Sequence, residues 1–165
     1  MPAMHPDEPG DGFSSRDRND PLDAVAWAQT RPDLLLGKGF SASPELLLDR
    51  LQGAVRILEP EGRTWCEVRE GWGYLTCTVD WLSPAPARDP FLEVVPFVEA
   101  GPNSGRPEIL VSAFSAVAAT MTAADLEPRL LAGRERDLDP AVVDHARSLL
   151  GPTGRLVVLR VQPAI

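Results

Sequence analysis

Apolar residues recur at helical spacing after a clear start signal at Ser43-Pro44-Glu45. This triplet combines a capping serine, a proline suited to the first helical position and an acid in the first turn. The apolar residues that then share one helix face are Leu47, Leu48, Leu51, Val55 and Leu58. Because Pro60 disfavours helical geometry in the residue before it, a helix is predicted between Ser43 and Pro60.

Two other segments begin with the same kind of signal. Asp20-Pro21 starts a helix that stops before Pro32, and Asp139-Pro140 starts another that closes at Gly151-Pro152. One face of the second helix carries Val142, His145, Ala146 and Leu149. The segment Arg155–Val161 then predicts a strand with one core face and one partly covered face.

Alternating residues between 63 and 81 predict two antiparallel strands joined by a tight turn. Gly71-Trp72 suits a type II′ turn, because glycine supplies the positive φ angle at the first position. A four-residue loop over 70–73 gives the same pairing. In this pairing, the sequence numbers of any two residues that face each other add up to 143. This register places Cys66 directly opposite Cys77 on a mostly apolar face, and a one-residue shift would exchange the two faces.

The second face of this predicted hairpin is rich in aromatic side chains. Its cross-strand pairs are Arg69 with Tyr74, Glu67 with Thr76, and Trp65 with Thr78. In a chain that is only 6% aromatic, Trp65, Trp72, Tyr74 and Trp81 all fall within this short region. Exposed tryptophan and tyrosine beside arginine are typical of binding hot spots, so Trp65, Arg69, Trp72 and Tyr74 are the predicted partner-binding residues. The alternative is that the N-terminal helices bury these rings in a second small core.

Two further strands are predicted at Phe91–Val98 and Ile109–Phe114, on either side of a turn-rich loop over 100–106. Pro96 cannot donate to a strand ladder, which places its strand at an edge or a bulge. Residues 116–121 fit either a continued strand or an alanine-rich helix. Thr122 is predicted to cap a short helix that Gly133 closes.

Together these elements predict an α+β fold, with a mainly antiparallel sheet of about five strands and helices packed on one face. The 165 residues, 44% of them hydrophobic, suffice for a single domain over residues 20–165. Residues 1–19 combine proline, glycine and charged residues with few large apolar groups, and they are predicted to form a disordered acidic tail.

The charge of the chain narrows the partners that it can have. Sixteen basic residues stand against 24 acidic ones, which gives a formal net charge of −8 and argues against nucleic-acid binding. The longest uncharged run, residues 109–124, is short and partly polar for a bilayer span. The N-terminus lacks the pattern of a signal peptide, so neither membrane association nor export is predicted and the expected location is the cytoplasm.

Few residues in the chain could carry catalysis. His5 lies in the predicted tail, which leaves His145 as the candidate catalytic base, and no G-x-S-x-G motif accompanies it. Cys66 and Cys77 lack the spacing of a zinc site and are expected to stay reduced, so no metal and no cofactor are predicted. Gly37-Lys38-Gly39 lacks the remainder of a P-loop motif.

Two functional hypotheses follow from these observations. The first is a non-catalytic interaction module that binds a protein partner, or a second copy of itself, through the aromatic hairpin or a sheet edge. The alternative is a small-molecule-binding or enzymatic domain, with a pocket near His145 to which an acid and Lys38 would contribute.

Overall fold

The computed structural model describes residues 21–161, with side chains from Ala24 onward, so the predicted tail over 1–19 lies outside the described residues. The helices within this range are α1 (Pro21–Gln29), α2 (Pro32–Leu35), α3 (Pro44–Leu58), α4 (Glu108–Phe114) and α5 (Pro140–Leu149). The strands are β1 (Thr64–Arg69), β2 (Trp72–Cys77), β3 (Ser115–Thr122), β4 (Arg129–Ala132) and β5 (Arg155–Val161). None of the helices described is long and apolar enough to cross a membrane.

The five strands form one antiparallel sheet in the order β1-β2-β5-β3-β4. The predicted α+β class and its antiparallel sheet are therefore confirmed. Helix α3 covers one face together with α4, a segment predicted as a strand, whereas α5 covers the opposite face, so helices lie on both faces and not on one as predicted. As a result, the side chains of β2 are buried on both faces of the sheet.

Helix α3 begins as its sequence signal predicts. The Ser43 hydroxyl accepts a hydrogen bond from the Leu46 amide at 3.1 Å, and Pro44 occupies the first turn. The buried residues of the helix are Leu47, Leu48, Leu51, Ala54 and Val55. Four of these pack against Leu75 of β2 and Leu159 of β5 in one cluster, so α3 contributes to the largest of the three hydrophobic cores in the described residues.

The hairpin forms, but its turn lies one residue earlier than predicted. Glu70 and Gly71 occupy the turn with φ angles of 53° and 82°, and positive values at both positions define a type I′ turn. Arg69 therefore faces Trp72, and the numbers of paired residues sum to 141 rather than 143. The partner of each residue on the opposite strand therefore differs by two positions from the predicted one. Because side chains point to the same face every second residue, every side chain stays on its predicted face.

The changed register separates the two cysteines that were predicted to face each other. Cys66 lies opposite Leu75, and Cys77 lies opposite Thr64. Both thiols are free. The predicted facing pair is thus wrong, although both sulfurs remain on the face of the hairpin that α3 covers.

Two predicted strands are absent from the sheet. Ile109–Phe114 lies in α4, where Ile109 and Ala113 pack on α1 while Leu110 and Val111 enter the largest core. A short apolar run fits a buried strand and a buried helix equally well, and here packing on both sides favours the helix. Phe91–Val98 is mostly irregular, and Pro96 makes a single bridge to Gly105.

The stretch whose secondary structure the sequence left open is a strand, and the helix predicted after it does not form. Residues 116–121 lie within β3. The Thr122 hydroxyl accepts from the Asp125 amide at 3.0 Å, which closes a turn instead of starting a helix. Strand β4 then begins at Arg129 and ends beside Gly133, whose φ angle is 78°.

The backbone before β5 passes unusually close to the end of β2. A Cβ atom placed on Gly154 would lie 2.0 Å from the carbonyl oxygen of Cys77, whereas one on Gly151 would meet nothing within 4 Å. Only glycine at position 154 therefore allows this approach between the neighbouring strands β2 and β5.

We expect Gly154→Ala to lower the free energy of unfolding by about 3 kcal/mol, because backbone atoms must move apart to admit the methyl group. Urea denaturation followed by circular dichroism measures this change. The matched control is Gly151→Ala, for which the expected change is within about 0.5 kcal/mol. Equal stability of the two variants would contradict the close approach.

Candidate functional site

Two of the four predicted partner-binding residues are buried. Trp72 and Tyr74 are only 7% and 2% exposed, because they pack beneath α5 with residues of β3 and β5. Trp65 remains 58% exposed, and Arg69, four residues further along β1, is exposed as well. The predicted aromatic surface is thus corrected to Trp65 and Arg69. The other two rings do lie in a second core, but α5 covers it, and not the N-terminal helices that the alternative expected.

His145 meets an acidic residue that sequence reasoning did not pair with it. Its Nε2 atom lies 2.5 Å from Oε1 of Glu67, and its ring meets the Tyr74 ring edge-on at 5.0 Å. Glu67 and Tyr74 are opposite residues of the hairpin, and α5 lays His145 across them. The only signal in the sequence was that Glu67 and Tyr74 share one face of the hairpin, the face that helices were expected to cover in the alternative interpretation.

The cavity beside His145 offers little room for a substrate. It measures about 180 Å³, below the usual range of small-molecule sites, and Lys38 is not among its lining residues. Burial, with Glu67 adding to it, raises the pKa of the Tyr74 phenol, which therefore stays protonated at neutral pH. The Ser148 hydroxyl donates to the backbone carbonyl of His145, not to its ring. These contacts suit a packing role for His145.

Strand β1 forms one edge of the sheet, and its backbone groups alternate in direction. The two-residue turn makes Arg69 and Trp72 a hydrogen-bonded pair, so the odd-numbered residues of β1 pair with β2. The amide and carbonyl groups of Thr64, Cys66 and Val68 consequently point away from β2. No strand described in the structure lies on that side.

A cleft of about 270 Å³ runs between this edge and α3. Its α3 wall consists of Glu45, Leu48, Asp49 and Gln52, and its β1 wall consists of Cys66, Glu67 and Val68. Two carboxylates from α3 line the cleft, and none of its lining residues is basic. The Gln52 amide donates to the Thr64 hydroxyl at 2.9 Å and ties the two walls together.

The two thiols are poor candidates for redox chemistry. Burial raises the pKa of the Cys66 thiol to about 11, with Asp49 adding to the shift and Arg56 opposing it. Burial likewise raises the pKa of Cys77. Since the thiolate is the reactive form, both residues are weak nucleophiles at neutral pH. Within residues 21–161, no three His, Cys, Asp or Glu side chains come together as a metal site.

Comparison with protein-family models finds no match, and searches of curated proteins and of solved structures find none either. The function must therefore follow from the residues of this chain.

The raised pKa of Cys66 gives a direct test of its environment. We expect its rate of alkylation by iodoacetamide to keep rising up to about pH 11, because the thiolate fraction grows until the pKa is passed. Peptide mapping by mass spectrometry, which separates Cys66 from Cys77, measures the rate at each pH. A plateau near pH 8.5, where an ordinary thiol titrates, would contradict the burial of this group.

Proposed function

We propose that the protein is a non-catalytic interaction module that binds an extended, basic segment of a partner protein as an added strand on β1. The observation that carries this proposal is an open sheet edge directly beside an acidic cleft. In such complexes the main-chain hydrogen bonds supply affinity, and pockets for alternate side chains supply specificity.

The backbone of β1 is suited to receive a strand. Three successive outward residues, Thr64, Cys66 and Val68, offer amide and carbonyl groups at the spacing of an antiparallel or parallel ladder. The six residues of β1 extend over about 20 Å, which matches a partner segment of about six residues.

The two edges of the sheet differ in how they are protected. Strand β4, at the far edge, has only four residues and a register shift where it meets β3. Short length and bulges are common devices against unwanted strand pairing. Strand β1 has neither of them, nor a proline or lysine, and instead exposes Trp65 and Val68. Exposed apolar groups on both faces of an open edge favour its use as a binding surface.

Charge favours a basic partner over a second copy of this chain. Alternate side chains of an added strand would enter the cleft beside Glu45 and Asp49. Lysine or arginine suits this position, because the aliphatic stem can pack on Leu48 while the cation meets the carboxylates. Two copies joined edge to edge would instead bring chains of net charge −8 together.

The test is selection of random twelve-residue peptides, displayed on phage, on the immobilised full-length chain. We expect enrichment of sequences with basic residues at alternate positions. Val68→Pro should weaken binding of the selected peptides at least about tenfold, because it removes an outward amide and places a ring on the open edge. The β2 ladder does not use this amide, so circular dichroism should show the variant folded.

The matched control is Val68→Ala, which keeps the amide and removes only side-chain contacts. Amide hydrogen exchange provides a second readout: a bound peptide should slow exchange at Thr64, Cys66 and Val68. Selected peptides that bind the proline and alanine variants equally would overturn the proposal, and so would enrichment of acidic peptides.

A further inference from the structure

We infer that the chain carries a second binding site, a groove on the other side of α3 that takes a small amphipathic carboxylate such as a medium-chain fatty acid. The groove measures about 770 Å³, within the range of small-molecule sites. It lies between α1, α2, α3 and the irregular segment that leads to α4. This inference stands independently of strand addition at β1.

The walls of the groove are largely apolar. Trp27 of α1 and Leu34 of α2 form one side, with Val94 and Ile109 among the groups that complete it. Trp27, Leu34 and Val94 are all substantially exposed, and they gather around one concave site rather than lying scattered over the surface. An apolar body placed here would cover these side chains from water.

Three arginines line the groove, and the protein holds each guanidinium through its Nη2 group. Arg50 donates from Nη2 to the Leu36 carbonyl at 2.9 Å, and Arg88 donates to the Val94 carbonyl at 2.9 Å. Arg106 donates from Nε and Nη2 to the carboxylate of Glu108. In all three, the Nη1 group has no hydrogen-bond partner among residues 24–161, whose side chains the structure describes. Held guanidiniums with a free amino group are prepared donors for an anion.

The charge balance points to a single negative group. Glu108 is fully buried and neutralises Arg106, while Glu93 pairs with Arg88 at 3.4 Å. Arg50 has no carboxylate within 4 Å among the described residues. Among residues 24–161, whose side chains the structure describes, no acidic residue lines the groove, although acids outnumber bases in the chain by eight. A monocarboxylate with an apolar tail complements both the positive charge of Arg50 and the apolar walls.

The test is titration of the full-length chain with sodium decanoate in a calorimeter, beside decyltrimethylammonium, which has the same tail and the opposite charge. We expect saturable binding of decanoate and at least about tenfold weaker binding of the cation. Arg50→Gln should weaken decanoate binding about tenfold, because one charge-assisted hydrogen bond is lost. Arg56→Gln, on the opposite flank of α3, should leave the affinity unchanged.

A second variant separates loss of the site from loss of the fold. Ala100 is exposed and lines the groove, so Ala100→Trp should fill it without disturbing the core and should weaken decanoate binding at least about tenfold. Equal affinity for the two amphiphiles, or no difference between Arg50→Gln and Arg56→Gln, would overturn the inference. An affinity that falls as protein concentration rises would also overturn it, because a second copy would then occupy the groove.

Discussion

The close packing of α3 on strand β2 determines where both candidate sites lie. A Cβ atom on Gly73 would come within 3.0 Å of the Leu48 side chain and 3.3 Å of Pro44, so the absence of a side chain lets the helix approach the sheet. The apolar stripe of α3 is buried by this approach. One flank of the helix forms a wall of the cleft at β1, and the other flank forms a wall of the groove.

The helical repeat gives the two flanks of α3 different net charges, although Arg56, four residues after Gln52, lies on the flank that faces β1 and near Cys66. Glu45, Asp49 and Gln52 are spaced by four and three residues and therefore share the flank that faces β1. Arg50 and Ala54, spaced by four, share the flank that faces the groove. At 100° per residue these two sets lie on either side of the buried stripe. One helix thus separates a flank of net negative charge from a flank with positive charge, and the core lies between the two.

Local signals in the sequence were enough to predict the starts of α3 and α5 and the faces of the hairpin. Proline at the first helical position and a capping side chain at Ser43 or Asp139 act within a few residues, so they specify these two helix starts locally. The hairpin register was missed because Glu70 adopts a left-handed conformation that only glycine, asparagine and aspartate favour. Tertiary packing decided α4, whose apolar run fits a strand as well as a helix.

The sites themselves depend on contacts that no local pattern reveals. The groove draws its cations from positions 50, 88 and 106, and the acid and histidine that meet across β1 and α5 are 78 residues apart. Spacing in the sequence carries no information about such pairs, because the chain between them passes through most of the sheet. Only the packed helices bring them together.

The edge strand is held from both faces by side chains, and none of the strands described pairs with its outer backbone. Gln52 of α3 binds Thr64 on one face, and His145 of α5 contacts Glu67 on the other. Neither contact uses the outward amides of β1. A strand that is already extended and fixed loses little conformational entropy when another strand joins it. The contact between His145 and Glu67 resembles part of a catalytic site when it is viewed alone. We interpret it as one of the two side-chain contacts that hold β1 in its extended conformation.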